Sequence, residues 1–108
     1  MIRHIVWWSL KMEAEGESAE ENARQIVEKS GMLQGLPCLS SLEVSCDILP
    51  GSTVPAKVVL TSTHENEKEL QAYQDNATHR EFAAFVGKRA EKRYCIDFAL
   101  KDNPNPLA

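Results

Sequence analysis

Three histidines, three cysteines and sixteen acidic residues are the side chains of this 108-residue chain best equipped for catalysis or metal binding. Cys38, Cys46 and Cys95 show neither a CxxC nor a Cys/His spacing, and a structural zinc site needs four closely grouped ligands. His4, His64 and His79 would meet at a metal only by long-range convergence, so no metal site is expected. An odd cysteine count without a disulfide framework points to a reducing, cytoplasmic setting, with all three thiols as small buried hydrophobes. His79 stands apart. It is the second residue of Thr78-His-Arg-Glu81, a capping box that places its ring at the amino end of a helix. The helix dipole there disfavours imidazolium and keeps the ring neutral near pH 7, the state a general base requires. The plainer reading is an ordinary, partly exposed early-helix residue. His64 is expected at the surface end of a strand. His4, among Ile2, Val6 and Trp8, suits a hydrogen-bonded core histidine.

Alternation and capping signals define the elements that must position these groups. Ile2 to Leu10 alternates as a strand with bulk on both sides, Val6 and Trp8 on one and Ile5 and Trp7 on the other, so both faces are expected to be covered. Ser18-Ala-Glu-Glu21 opens a helix over about 17–31, and Gly31, Gly35 and Pro37 end it. Leu39 to Leu49 alternates as a half-buried strand, and the β-branched run from Lys57 to Thr63 is a third. Two more capping boxes, at Asn66 and Thr78, open helices near 66–74 and 78–91. A fourth strand runs from Arg93 to Leu100, before a proline-rich tail. This order, β-α-β-β-α-α-β, predicts an α+β ferredoxin-like sandwich, a four-stranded antiparallel sheet with helices on one face. One domain, residues 1–100, and a tail, 101–108, account for the chain.

A sandwich of this kind leaves one sheet face bare, and a bare apolar face is a liability for a monomer. A second copy packing sheet to sheet would cover it, so a homodimer is expected. The net charge is −4, with six acids against two bases in residues 13–29 and five bases against two acids in residues 80–93. Both segments read as solvated helix faces, four of the bases complementing a helix's carboxyl end. The negative total and the lack of interleaved aromatics argue against nucleic acid as a partner, and the lack of a long apolar run argues against a membrane.

Several blocks together carry a resemblance: Met-Ile-Arg-His-Ile-Val at 1–6, Lys57-Val-Val-Leu-Thr-Ser-Thr63, Leu70-Gln-Ala-Tyr-Gln74, His79, and Tyr94-Cys-Ile-Asp-Phe98. In order and spacing they resemble the stress-responsive α/β-barrel (Dabb) family over about residues 1–100. The resemblance implies a dimer in which two sheets close into a barrel. The family is mostly uncharacterised. A plant member is a cofactor-independent polyketide cyclase that closes a linear tetraketide acid by aldol condensation. Its site residues match Tyr73, His79, His4 and Asp97 here.

By that resemblance His79 is the base, and Asp97 orients it and stabilises the proton it takes. Tyr73 donates to a substrate carbonyl. His4, Val6, Trp8 and Phe82 line a pocket between the sheet and the second and third helices, holding a small carbonyl-bearing compound without a cofactor. The competing reading is a non-catalytic, stress-associated homodimer in which the same residues are structural. The chain departs from the family at Asn76 and Ala77, where His and Pro are common, at His64, where an aromatic or aliphatic residue is usual, and at Trp7 and Trp8, which are bulkier. These departures bear on the size and polarity of any cavity.

Overall fold

The structure is a computed structural model and describes residues 1–101. Apart from Lys101, the expected tail, 101–108, lies outside the described residues. Strand β1 (Ile2–Leu10) is followed by a small hairpin, β2 (Glu13–Ala14) and β3 (Glu17–Ser18), and by helix α1 (Ala19–Lys29) with a 3-10 turn (Ser30–Leu33). Strands β4 (Ser41–Ser45) and β5 (Val58–His64), helices α2 (Glu67–Asp75) and α3 (Ala77–Gly87), and strand β6 (Ala90–Ala99) complete it. The sheet order is β4-β5-β1-β6, with every neighbouring pair antiparallel. This is the expected α+β sandwich of ferredoxin-like topology, with β1 central.

The hairpin was not foreseen. Its two-residue loop, Glu15 (φ 51°) and Gly16 (φ 78°), has the left-handed backbone at both central positions that a primed turn needs. Glu15 is an unusual residue there, which hides the signal. Asn22 ties the hairpin to α1 by donating to the carbonyls of Ala14 (2.9 Å) and Glu17 (3.3 Å). Ser18 caps α1 as expected, its Oγ accepting from the amide of Glu21 at 3.2 Å. The chain does not stop at Gly31 but tightens into the 3-10 turn, and it reverses at Gly35 with φ 83°.

Helix α3 corrects the sequence reading at both ends. Its cap is Asn76, not Thr78: the Asn76 Oδ1 accepts from the amides of Thr78 (2.8 Å) and His79 (3.4 Å). Asn and Thr are both good caps, and the one reaching two orphan amides wins. The helix ends at Gly87, so most of the basic run 88–93 belongs to the connection and to β6 rather than to a helix end. Arg89 folds back, its guanidinium 3.6 Å from the centroid of the Phe85 ring and its Nη1 donating to the Phe85 carbonyl at 2.8 Å.

The helix layer covers the sheet face bearing Val6, Trp8, Leu10, Val58 and Leu60, which pack with Ile26, Leu33, Phe82 and Val86 as the core. Strand register places Ile5 opposite Ile96, Trp7 opposite Tyr94 and Arg3 opposite Phe98 on the other face. That face carries no layer of its own. Trp7 and Tyr94 stack with centroids 5.7 Å apart, while Ile96 is 50% and Phe98 39% exposed.

Candidate functional site

The site grows from two register relations and two helix ends. On the helix-covered face, β1 pairs His4 with Ser62 of β5 and with Asp97 of β6. Paired residues on antiparallel strands project to the same side, so all three meet under the helices. Helix α2 delivers Tyr73 from its last turn, and Asn76 starts α3 so that His79 follows within its first turn. The result is an aromatic cluster around Tyr73. The rings of His79, His64 and His4 lie 4.4, 5.0 and 6.1 Å from it, centroid to centroid.

The three imidazoles differ in how they are held. His64 is fully buried, which overturns its expected surface position. Its Nδ1 donates to the Cys38 carbonyl at 2.7 Å and its Nε2 accepts from Ser62 Oγ at 2.8 Å, an arrangement that defines a neutral tautomer. The loop carrying Cys38 folds over the strand end, a contact no local pattern predicts. Burial lowers the His64 pKa, the Cys38 hydrogen bond opposing and His4 adding to the fall. His4 is buried, and its Nδ1 is hydrogen-bonded to the Asp97 carboxylate. Asp97, expected beside His79, therefore holds His4 instead, because strand pairing rather than helix packing sets its partner.

His79 is half-buried, and among the described residues its Nδ1 has no hydrogen-bond partner; neither has the hydroxyl of Tyr73, which is fully buried. Burial pushes the phenol of Tyr73 up and the imidazole of His79 down, with His4, Arg93 and His64 adding to the His79 shift against the backbone of Gln74. At neutral pH the pair is therefore a protonated phenol and a neutral imidazole, a donor beside an acceptor.

A cavity of about 400 Å³ opens between the sheet and helices α2 and α3. His4, Val6, Trp8, Tyr73, His79 and Phe82 are all on its wall. Trp8 and Phe82 meet edge to face at 6.4 Å and form the apolar part of that wall. Asp97 borders a separate groove on the far side of His4. Of the lining residues that sequence reasoning missed, two are polar, Gln74 and Arg93. Arg93 opens the predicted fourth strand but was counted with the basic run 80–93 as a solvated charge; its alternation with Tyr94 was the available signal.

Two of the three thiols are not buried, contrary to expectation: Cys38 is, while Cys46 and Cys95 are exposed. Cys46 lies just past the end of β4, and Cys95 lies on β6, at the edge of the sheet. Cys95 Sγ is 3.6 Å from His4 Nδ1 and 3.7 Å from the Asp97 carboxylate. These three ligand atoms lie within 4.8 Å of one another, a grouping the sequence spacing did not anticipate. The His4–Asp97 hydrogen bond accounts for two of the three positions. Burial and Asp97 raise the Cys95 pKa and leave it a thiol rather than a nucleophilic thiolate. No helix of the described residues is long and apolar enough to cross a membrane.

Solved structures place this architecture among ferredoxin-like proteins. A dimeric ferredoxin-like protein of unknown function from Thermobifida fusca superposes with a TM-score of 0.77 at 21% identity, over 92% of this chain and 90% of that one. A hydroxynitrile lyase from Passiflora edulis gives 0.76 at 18% identity, over 96% of each chain. A Dabb family protein with a ferredoxin-like fold from Mesorhizobium loti gives 0.69 at 24% identity, over 93% and 96%. No functionally curated protein matches this chain by sequence. The family model for the stress responsive A/B barrel domain, Dabb, matches residues 2–100. The chain belongs to that family.

Proposed function

We propose that the protein is a homodimer whose cavity binds a small carbonyl-bearing compound and performs cofactor-independent acid–base chemistry on it. The observation that carries this reading is the pairing of two buried polar atoms without a partner among the described residues, Tyr73 Oη and His79 Nδ1, on two residues that line one largely apolar cavity. Each such atom costs about 1–3 kcal/mol if it stays unsatisfied, and a carbonyl ligand with an acidic proton satisfies both. Tyr73 donates to the carbonyl oxygen, and the neutral His79 accepts the proton from the carbon beside it. The negative charge that develops on oxygen is held by the phenol. The enolate carbon then bonds to a second carbonyl carbon, whose π electrons move to its oxygen, and that oxygen takes the proton back from His79; run backwards, the same sequence is a cleavage. His4, fixed by Asp97, lines the far end of the wall as a second polar contact. That a lyase shares the fold supports a catalytic use of this architecture, although site chemistry and not fold must carry the claim.

The dimer reading rests on the bare sheet face with Ile5, Trp7, Tyr94, Ile96 and Phe98, and on the dimeric state of ferredoxin-like relatives. Two such faces packed together bury these side chains and close the sheets into one barrel. The free thiols suit a cytoplasmic, reducing compartment.

Thermal stabilisation by a panel of small aldehydes and ketones tests the pocket, with wild type compared against His79→Ala and Tyr73→Phe. Ligands that raise the melting temperature of wild type are expected to lose their effect in both variants. Equal shifts in all three proteins favour the competing reading of a structural homodimer. Sedimentation tests the assembly: wild type is expected at twice the 12.1 kDa chain mass, and Ile96→Asp at the monomer mass. A compact wild-type monomer at micromolar concentration refutes the dimer.

A further inference from the structure

The basic run 88–93 divides its cations among different tasks once α3 ends at Gly87. Lys88 occupies the helix cap and Arg89 is folded onto Phe85. Arg93 has another setting. Its register partner is Trp8, so it projects to the helix-covered side of the sheet, and it borders the cavity beside Ala90 and Gly87. Among the described residues it forms no ion pair. Among the described residues it is, apart from the histidines, the only basic residue on that wall, and none of them places an acid there. The rest of the wall near it is apolar: Val6, Trp8, Phe82 and Val86.

We propose that Arg93 is a specificity-determining residue that selects an organic acid, holding a ligand carboxylate at the cavity mouth while the ligand's carbonyl reaches Tyr73 and His79. The inference rests on the pocket reading above and adds the substrate class, an oxo acid with an apolar middle. Three features fit. His4 and Trp8 are four residues apart on one strand, about 13 Å of wall, so the histidine end and the Arg93 end are separated by the apolar stretch. A guanidinium presents a planar fork that a carboxylate matches with two parallel hydrogen bonds. One guanidinium balances one carboxylate, whereas a phosphate dianion would leave excess charge against Val6, Trp8 and Phe82.

The same charge bears on the base. Arg93 is one of the groups that depress the His79 pKa, together with burial, His4 and His64. Neutralising it with a bound carboxylate makes His79 a better proton acceptor when the acid is in place.

Calorimetric titration with 7-oxooctanoate, its methyl ester and octanoate separates the two claims, using wild type, Arg93→Gln, Arg93→Lys and His79→Ala. Arg93 is exposed, so its substitution leaves the fold intact. Wild type is expected to bind the oxo acid about tenfold more tightly than the ester, the scale of one charge-assisted contact near solvent. Arg93→Gln erases that preference while leaving ester affinity unchanged, and Arg93→Lys retains part of it through charge without the fork. An ester that binds wild type as well as the acid, or a preference that survives in Arg93→Gln, overturns the role of Arg93 and leaves the pocket reading standing. Octanoate that binds as tightly as 7-oxooctanoate, with His79→Ala silent, overturns the carbonyl reading and leaves acid recognition standing. Absence of binding by every probe at millimolar concentration refutes both.

Discussion

The two sides of the Tyr73 ring hold imidazoles in opposite circumstances. On the β5 side, His64 uses both nitrogens, one on the Cys38 carbonyl and one on the Ser62 hydroxyl, and it is fully buried. On the α3 side, His79 leaves Nδ1 without a protein partner and faces the cavity. Both rings have lowered pKa values from burial, so titration behaviour alone does not tell them apart. Hydrogen-bond completeness does. A histidine whose donor and acceptor are both engaged is building material. One with an unused acceptor beside an unused phenol is equipped to meet a ligand.

The largest effect expected from this contrast is on stability. His64→Phe keeps a ring at this position, yet it strands the Ser62 hydroxyl and the Cys38 carbonyl in a dry interior. Each stranded group costs about 1–3 kcal/mol, so the variant is expected to lose about 2–6 kcal/mol in urea unfolding. His79→Ala, which removes a ring whose Nδ1 has no partner among the described residues, is expected to lose about 1 kcal/mol or less. Equal losses would erase the distinction between the two sides.

The strands and helices were legible because each announces itself locally. Alternation in Ile2–Leu10 and the caps at Ser18 and Asn66 depend on neighbours within a few residues. The site was legible only in part. Tyr73 and His79 reach the same wall because two short helices meet at Asn76, and the resemblance supplied that pairing. His64 was misread because its burial comes from the Cys38 loop, twenty-six residues away. Asp97 was assigned to the wrong histidine because only the β1–β6 register reveals that it faces His4. Arg93 was counted as one more solvated cation of the run 80–93, because only the β1–β6 register shows that it sits opposite Trp8 on the helix-covered side.

Acid sharpens the comparison through its sign. The ordinary value for both rings is 6.5, and both are lowered in the folded protein. Above pH 6.5 they are neutral folded or unfolded and contribute no pH dependence. Below it the unfolded chain takes up protons that the folded chain resists, so stability falls as pH falls. Urea midpoints measured between about pH 7.5 and pH 5 should decline in wild type and decline less in His64→Phe. A bound oxo acid should protect against the His79 share of that decline but not the His64 share, because only His79 touches the cavity. Identical slopes with and without ligand would remove that separation.

A smaller effect is expected at the helix start that positions His79. Asn76→Ala removes the side-chain acceptor for the Thr78 and His79 amides and should cost about 1 kcal/mol. Because Thr78 is itself a competent cap, the helix can restart two residues later, which moves His79 from the third helical position to the first and re-aims its ring. Ligand affinity should therefore fall in Asn76→Ala by more than the stability loss implies, while Asn66→Ala, at the cap of α2, affects the pocket less. Equal effects of the two caps on binding would show that the position of His79 is unimportant.

The smallest expected effect is the most discriminating. Tyr73 Oη is buried without a protein partner, so Tyr73→Phe removes a desolvated hydroxyl and keeps the ring that His4, His64 and His79 pack around. Deleting a hydrogen-bonded phenol normally costs about 1 kcal/mol, whereas deleting an unsatisfied one costs nothing or stabilises. The variant is therefore expected to unfold at the same urea concentration as wild type or slightly higher, while it loses response to carbonyl ligands. Ser62→Ala, which removes an equally buried hydroxyl that is bonded to His64, should move stability the opposite way. A group that the fold would be better without, on a wall it shares with an unused base, is a group kept for something other than the fold. If Tyr73→Phe instead unfolds as easily as Ser62→Ala, the phenol belongs with His64 on the structural side of the ring, and the case for chemistry passes to His79 alone.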